Sequence, residues 1–125
     1  MVPADLRYTK DHEWVRVDGD TATIGVTDFA AHQLGDVVFV DLPEVGAAVE
    51  AAASISEVES TKSVSDIYAP VSGTITEVNT DLADAPERLN EDPYGEGWIC
   101  VIEPRDTADV DKLLDAAAYR DLIAS

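Results

Sequence analysis

Turn-forming residues interrupt this 125-residue chain before any alternating apolar run extends far, and that punctuation restricts most of the fold to short strands. Val15 and Val17 alternate with Arg16, Asp18-Gly19 punctuates, and Ala22, Ile24 and Val26 alternate with threonines, which is the pattern of a hairpin. Thr27 is placed to cap a helical turn over Asp28 to Leu34. Gly35 is placed to end it, because glycine tolerates the left-handed conformation of many helix stops. The run Asp36 to Leu42, DVVFVDL, carries apolar groups at both parities and predicts a central strand buried on both faces.

After a turn at Pro43 to Gly46, the stretch Ala47 to Val58 mixes helix-favouring alanines with a strand-like end. Val64 to Ala69 and Thr74 to Val78 read as strands around a bend at Pro70 to Gly73, where proline fixes the turn and glycine permits positive φ. Asn79 to Gly97 reads mostly as loop, and Trp98 to Ile102 as a strand that Pro104 stops. Asp106 or Thr107 then caps a helix on which Val110, Leu113, Leu114 and Ala117 recur at helical spacing. The expectation is a single mainly β domain over residues 1–125, with a short internal helix and a C-terminal helix at about 107–123.

Charge narrows the partners. Twenty-six Asp and Glu against eight Lys and Arg give a formal charge of -18, which repels phosphate backbones and anionic lipid. Neither nucleic acid nor a membrane is expected as a partner. Two histidines and one cysteine cannot assemble an ordinary zinc site, no phosphate or calcium loop occurs, and no serine sits in a nucleophile elbow. A self-contained enzyme is therefore not expected. Cys100 lies in an apolar run, where a buried inert thiol is the usual outcome. Met1 to Lys10 lacks the pattern of a leader peptide, so the expected compartment is the cytoplasm, or the mitochondrial matrix had a transit peptide been removed.

Lys62 stands apart as the only Lys or Arg between Arg16 and Arg88. It falls at the junction of two expected strands, among the small residues Ser60, Thr61 and Ser63 and the carboxylates Glu57, Glu59 and Asp66. A hairpin tip there would present a flexible amine to a modifying enzyme, although a solvated lysine loosely paired with carboxylates has the same composition.

The surrounding sequence, EVESTKSVSDIYAPVSGTITEVN from Glu57 to Asn79, resembles the attachment hairpin of the glycine cleavage H proteins. YTKDHEW, IGVTDFA, LGDVVFVDLPEVG and NEDPYGEGW, at Tyr8, Ile24, Leu34 and Asn90, resemble further segments of that family in the family's order. LLDAAAYRDLI near the terminus extends the likeness over nearly the whole chain. A lipoyl domain of a 2-oxoacid dehydrogenase carries DKA where this chain has TKS, and biotin carriers place methionines around their lysine.

The resemblance implies a lipoyl/biotinyl-carrier-like flattened barrel or sandwich hybrid, a monomer, and lipoate on Lys62. It implies a carrier that takes an aminomethyl group from a pyridoxal-phosphate glycine decarboxylase to a tetrahydrofolate-dependent aminomethyltransferase. Electrons then pass to the FAD enzyme dihydrolipoamide dehydrogenase. It also implies that Glu59 guides the lipoylating enzyme, and that Glu13, with Asp66 as a second carboxylate, holds the amine in a cleft that His12 and Gln33 could line. No catalytic residue and no metal are implied.

Overall fold

The computed structural model describes residues 2–124, so the outermost residues of the expected domain, 1 and 125, lie outside the described ones. Two antiparallel sheets organise the chain. β1 (Arg7–Tyr8), β2 (Glu13–Asp18), β3 (Thr21–Val26), β5 (Ala48–Val49), β8 (Gly73–Val78) and β9 (Cys100–Pro104) form a six-stranded sheet in the order β1-β2-β3-β9-β8-β5. β4 (Val37–Asp41), β6 (Ser54–Ser60) and β7 (Val64–Tyr68) form a three-stranded sheet in the order β4-β6-β7.

The expected hairpin is β2 and β3, joined through Gly19 at φ 62°. Thr27 caps α1 (Asp28–Leu34) by accepting a hydrogen bond from Ala30 N, and Gly35 follows it at φ 77°. The ambiguous stretch Ala47 to Val58 resolves as β5 and the start of β6 on either side of a turn over 50–53. Two four-residue helices, α2 (Asp81–Asp84) and α3 (Arg88–Glu91), interrupt what was expected to be mostly loop.

Inward residues of both sheets, among them Val15, Ile24, Val40, Val58, Ile75 and Ile102, make one core cluster. Burying each such side chain is worth about 1.5–3 kcal/mol. Cys100 lies inside this cluster, and burial pushes its thiol up to about 12. On the other face of β1 and β2, Leu6, Tyr8, Trp14, Ala116 and Tyr119 form a second cluster under α4 (Ala116–Ala124). None of the helices among the described residues is long and apolar enough to cross a membrane.

Three expectations need correction. β4 is an edge strand, not a central one: Val37 and Val40 are buried, whereas Val38 and Phe39 are 51% and 52% exposed. The helix expected at about 107–123 is broken, because residues Thr107–Lys112 form a 3-10 helix and Leu114 leaves the helical path to bridge β1. Leu114 N donates to Tyr8 O (2.9 Å) and Tyr8 N donates to Leu114 O (2.8 Å). Asp115 then restarts the helix by accepting from Ala118 N (2.9 Å), which leaves Ala117 exposed. Gly73 does not adopt positive φ; its role is spatial, since a Cβ there would collide with the carbonyl of Glu103 on β9.

The Tyr119 ring stacks on Tyr8 with centroids 4.6 Å apart, and its hydroxyl meets Thr27 Oγ1 (2.8 Å) and His12 Nδ1 (2.9 Å). Tyr119→Phe should lower stability by about 1–2 kcal/mol, from the unmatched polar groups, and Tyr119→Ala by about 3–5 kcal/mol. Urea denaturation of the two variants separates the hydroxyl from the ring.

Candidate functional site

Lys62 sits at the tip of the β6–β7 hairpin, exposed, on a backbone tied from two sides. Within the turn, Ser60 N donates to Ser63 O (2.8 Å), and Ser60 Oγ accepts from Lys62 N (3.2 Å) and Ser63 N (3.1 Å). From outside, Asp36 O accepts from Thr61 N (3.0 Å). A small hydroxyl residue suits position 60 because its side chain replaces ladder bonds that a tight turn gives up.

The segment holding Asp36 is itself fixed by Asn90, on α3. Asn90 Oδ1 accepts from Val37 N (2.9 Å), while Nδ2 donates to Gly35 O (2.7 Å) and Ala31 O (3.3 Å). One amide thus ties the end of α1, the start of β4 and α3 together. It was not singled out by sequence reasoning, since an asparagine in a loop has no periodic signal.

The Lys62 stem rests on Gly35, where a Cβ would lie 3.4 Å from both Cδ and Cε. Its Nζ donates to Gln33 O (3.3 Å) at the end of α1, and no carboxylate among the described residues lies within ion-pairing distance. Beside this contact, α1 and α3 border a cavity of about 780 Å3 lined by Phe29, His32, Gln33, Asp36 and Asn90 among others. The fit to an acylated lysine is good: an exposed amine, an unobstructed stem, and a mixed polar and apolar hollow next to it.

Glu13 occupies a different place. It is 1% exposed, at the start of β2, and lines a hollow of about 320 Å3 with Tyr8, Tyr68, Pro70 and Leu113. Thr9 Oγ1 donates to Oε1 (2.8 Å) and Tyr68 N to Oε2 (2.9 Å). The turn before it is held by Thr9 O and Oγ1, which accept from His12 N (3.1 Å) and Glu13 N (3.2 Å), with His12 at φ 69°. Burial raises the Glu13 carboxyl from 4.5 to about 7, against the lowering effect of those two hydrogen bonds.

Of the expected site residues, Glu59, Lys62 and Asp66 lie on the β6–β7 hairpin and Glu13 meets it from β2. Glu13 meets β7 at Tyr68, four residues along the strand from Val64 beside the hairpin tip, or about 13 Å at about 3.3 Å per residue. Asp66 is exposed on β7, opposite Glu57, and accepts from Ser54 Oγ (3.4 Å); it is not among the residues bordering either hollow. Glu59 is exposed opposite Val64. Gln33 borders the larger hollow, whereas His12 is a packing residue, its ring against Phe29 (4.8 Å) and its Nδ1 on Tyr119.

With this geometry in place, comparison with known proteins is decisive. The family profile described as Glycine cleavage H-protein matches residues 6–125. The chain belongs to the glycine cleavage H-protein family. That family is one of lipoyl carriers in glycine cleavage, not of enzymes. A glycine cleavage system H protein of Anaeromyxobacter sp. (strain K) is 56% identical over 119 residues, covering 95% of this chain and 93% of its own. One from Thermus thermophilus is 54% identical over 124 residues, covering 99% and 97%. The crystal structure of a glycine cleavage system H protein from Mycobacterium marinum, 45% identical, superposes with a TM-score of 0.91 over 99% of this chain and 100% of that one.

The raised Glu13 value has a consequence for stability. Between pH 4.5 and about 7 the native chain keeps a proton that the unfolded chain loses. The contribution is present in full below the unfolded value and is lost as pH rises through the folded one. Glu13→Gln, neutral throughout, should therefore gain on the wild type by up to about 3 kcal/mol between pH 4 and pH 8. Parallel urea titrations at the two pH values measure that change.

Proposed function

We propose that Lys62 is the attachment point of lipoate, held as an amide on Nζ. In this reading the chain moves an aminomethyl group from a pyridoxal-phosphate glycine decarboxylase to a tetrahydrofolate-dependent aminomethyltransferase, then electrons to dihydrolipoamide dehydrogenase. The cytoplasm is the compartment this assignment implies. The observation that carries it is an exposed lysine whose backbone is fixed by Ser60, Asp36 and Asn90 while its amine, among the described residues, makes one hydrogen bond, to a carbonyl.

Bound lipoate supplies a disulfide strained by its five-membered ring, which accepts a carbon group or two electrons readily. The residues of this chain hold and orient. Ser60 and Asp36 fix the hairpin tip, Gly35 leaves room for the stem, and Gln33 O accepts the one N–H that an amide nitrogen retains. Glu59, exposed three residues before the lysine, guides the attaching enzyme, and Asp66, exposed on β7 between Lys62 and Tyr68, is the second carboxylate for the amine.

Glu13 receives the amine. Without a cation its buried carboxyl holds its proton up to about pH 7. An ammonium group entering the hollow would favour the carboxylate, so amine binding and proton release from Glu13 are coupled. A charge-assisted bond is about twice as strong as a neutral one, which is what Gln could not supply.

Coexpression with a lipoylating enzyme and lipoate should give a single mass increment of one lipoyl group, mapped to the Lys62 peptide, with Lys10 and Lys112 unmodified. Lys62→Arg should keep its stability within about 0.5 kcal/mol, because the side chain is exposed, yet lose all glycine-dependent transfer. A free Lys62, or transfer retained by the arginine variant, would refute the assignment.

A further inference from the structure

The outer face of the three-stranded sheet carries two rows of side chains set by its register. Nearest the tip, Phe39 on β4 pairs with Glu59 on β6, which pairs with Val64 on β7. One row back, Asp41, Glu57 and Asp66 stand side by side. Phe39 is 52% exposed and Val64 58%, and Val38, at the register shift before Phe39, is 51% exposed. All four carboxylates are exposed, and no lysine or arginine among the described residues pairs with them. Like charges directly opposite on a sheet destabilise it, and half-exposed apolar side chains contribute little to the core. The face is better explained by a partner than by folding.

We infer that Val38, Phe39 and Val64, flanking Glu59, form the docking surface for the enzyme that acylates Lys62, seated against an apolar patch with basic residues facing the acidic row. This rests on the reading of Lys62 as the attachment point. Lys62 fixes the occupant: to use an activated acyl donor such as an acyl adenylate, the enzyme must enclose Nζ in its own site. There the neutral amine attacks the carbonyl carbon, the C–N bond forms, the bond to the adenylate phosphate breaks and nitrogen gives up a proton. An enzyme enclosing the tip necessarily reaches the row adjoining it. Apolar contact supplies affinity, and four carboxylates select and steer a basic partner.

The test uses the full chain, purified lipoate–protein ligase, lipoate and ATP, with initial rates followed by intact mass over a range of acceptor concentrations. Phe39→Thr and Val64→Thr should each raise KM about three- to tenfold with kcat within twofold, and the double variant should raise it further. Val17→Thr, equally exposed at 52% but on the six-stranded sheet, should match the wild type. Glu57→Gln with Asp66→Asn should raise KM at low salt and flatten its salt dependence. Threonine is favoured in strands; should Phe39→Thr nevertheless fail to fold, Val64→Thr and Val38→Thr carry the same expectation. Variant KM values within twofold of the wild type would overturn the surface while leaving Lys62 as the attachment point. A wild type that acquires no acyl group on Lys62 would overturn both. Unchanged attachment combined with slower reduction of the finished carrier by dihydrolipoamide dehydrogenase would assign the face to another enzyme and overturn this inference.

Discussion

The side-chain amide of Asn90 is the point on which the lysine-bearing end of the molecule depends. Its three hydrogen bonds join α3 to both sides of the α1–β4 connection, and that connection provides the carbonyl that anchors Thr61. Each bond alone contributes about 1 kcal/mol. Their joint effect is geometric: Gly35 and Asp36, which lie under and beside Lys62, cannot shift without breaking a bond to Asn90. The lysine is exposed on a fixed base, the arrangement that a group attached at Nζ would need.

Glu13 shows the opposite strategy. A carboxyl with no cation partner among the described residues is enclosed at the start of β2 and kept by one hydroxyl and one backbone N–H. The arrangement costs stability above neutral pH, and it stores that cost where an ammonium group could offset it. The aromatic cluster of Tyr8, Trp14 and Tyr119 backs this strand from the other face, so the enclosing wall is itself well packed.

Local sequence signals were reliable where local interactions decide the structure. Thr27 and Gly35 bound α1 as read, and the β2–β3 hairpin turns at Asp18-Gly19. Glu13 was singled out through the family likeness alone; strand parity did not reveal its burial, since Val17, of the same parity, is 52% exposed. Failures came where distant segments meet. Leu114 has helical spacing with Val110, yet a two-way backbone bridge to Tyr8 pulls it straight. The DVVFVDL run has the composition of a buried strand, but among the described residues only β6 pairs with it. Apolar residues that face another protein look the same in sequence as those that face a core. Lys62 was legible through its isolation and the motif around it, whereas Asn90, which positions its base, was not.

The contact between the Lys62 stem and Gly35 also matters in polymer terms. A group added at Nζ is a tether, and the local concentration of its free end varies inversely with the volume it can sweep. Methylenes resting on Gly35 and an N–H held by Gln33 O move the effective anchor point from Cα to the end of the stem. The freely moving length is shortened, and its origin is placed at the rim of the α1–α3 hollow. A glycine at position 35 therefore does more than end a helix: it would set where an arm attached to Lys62 begins to swing.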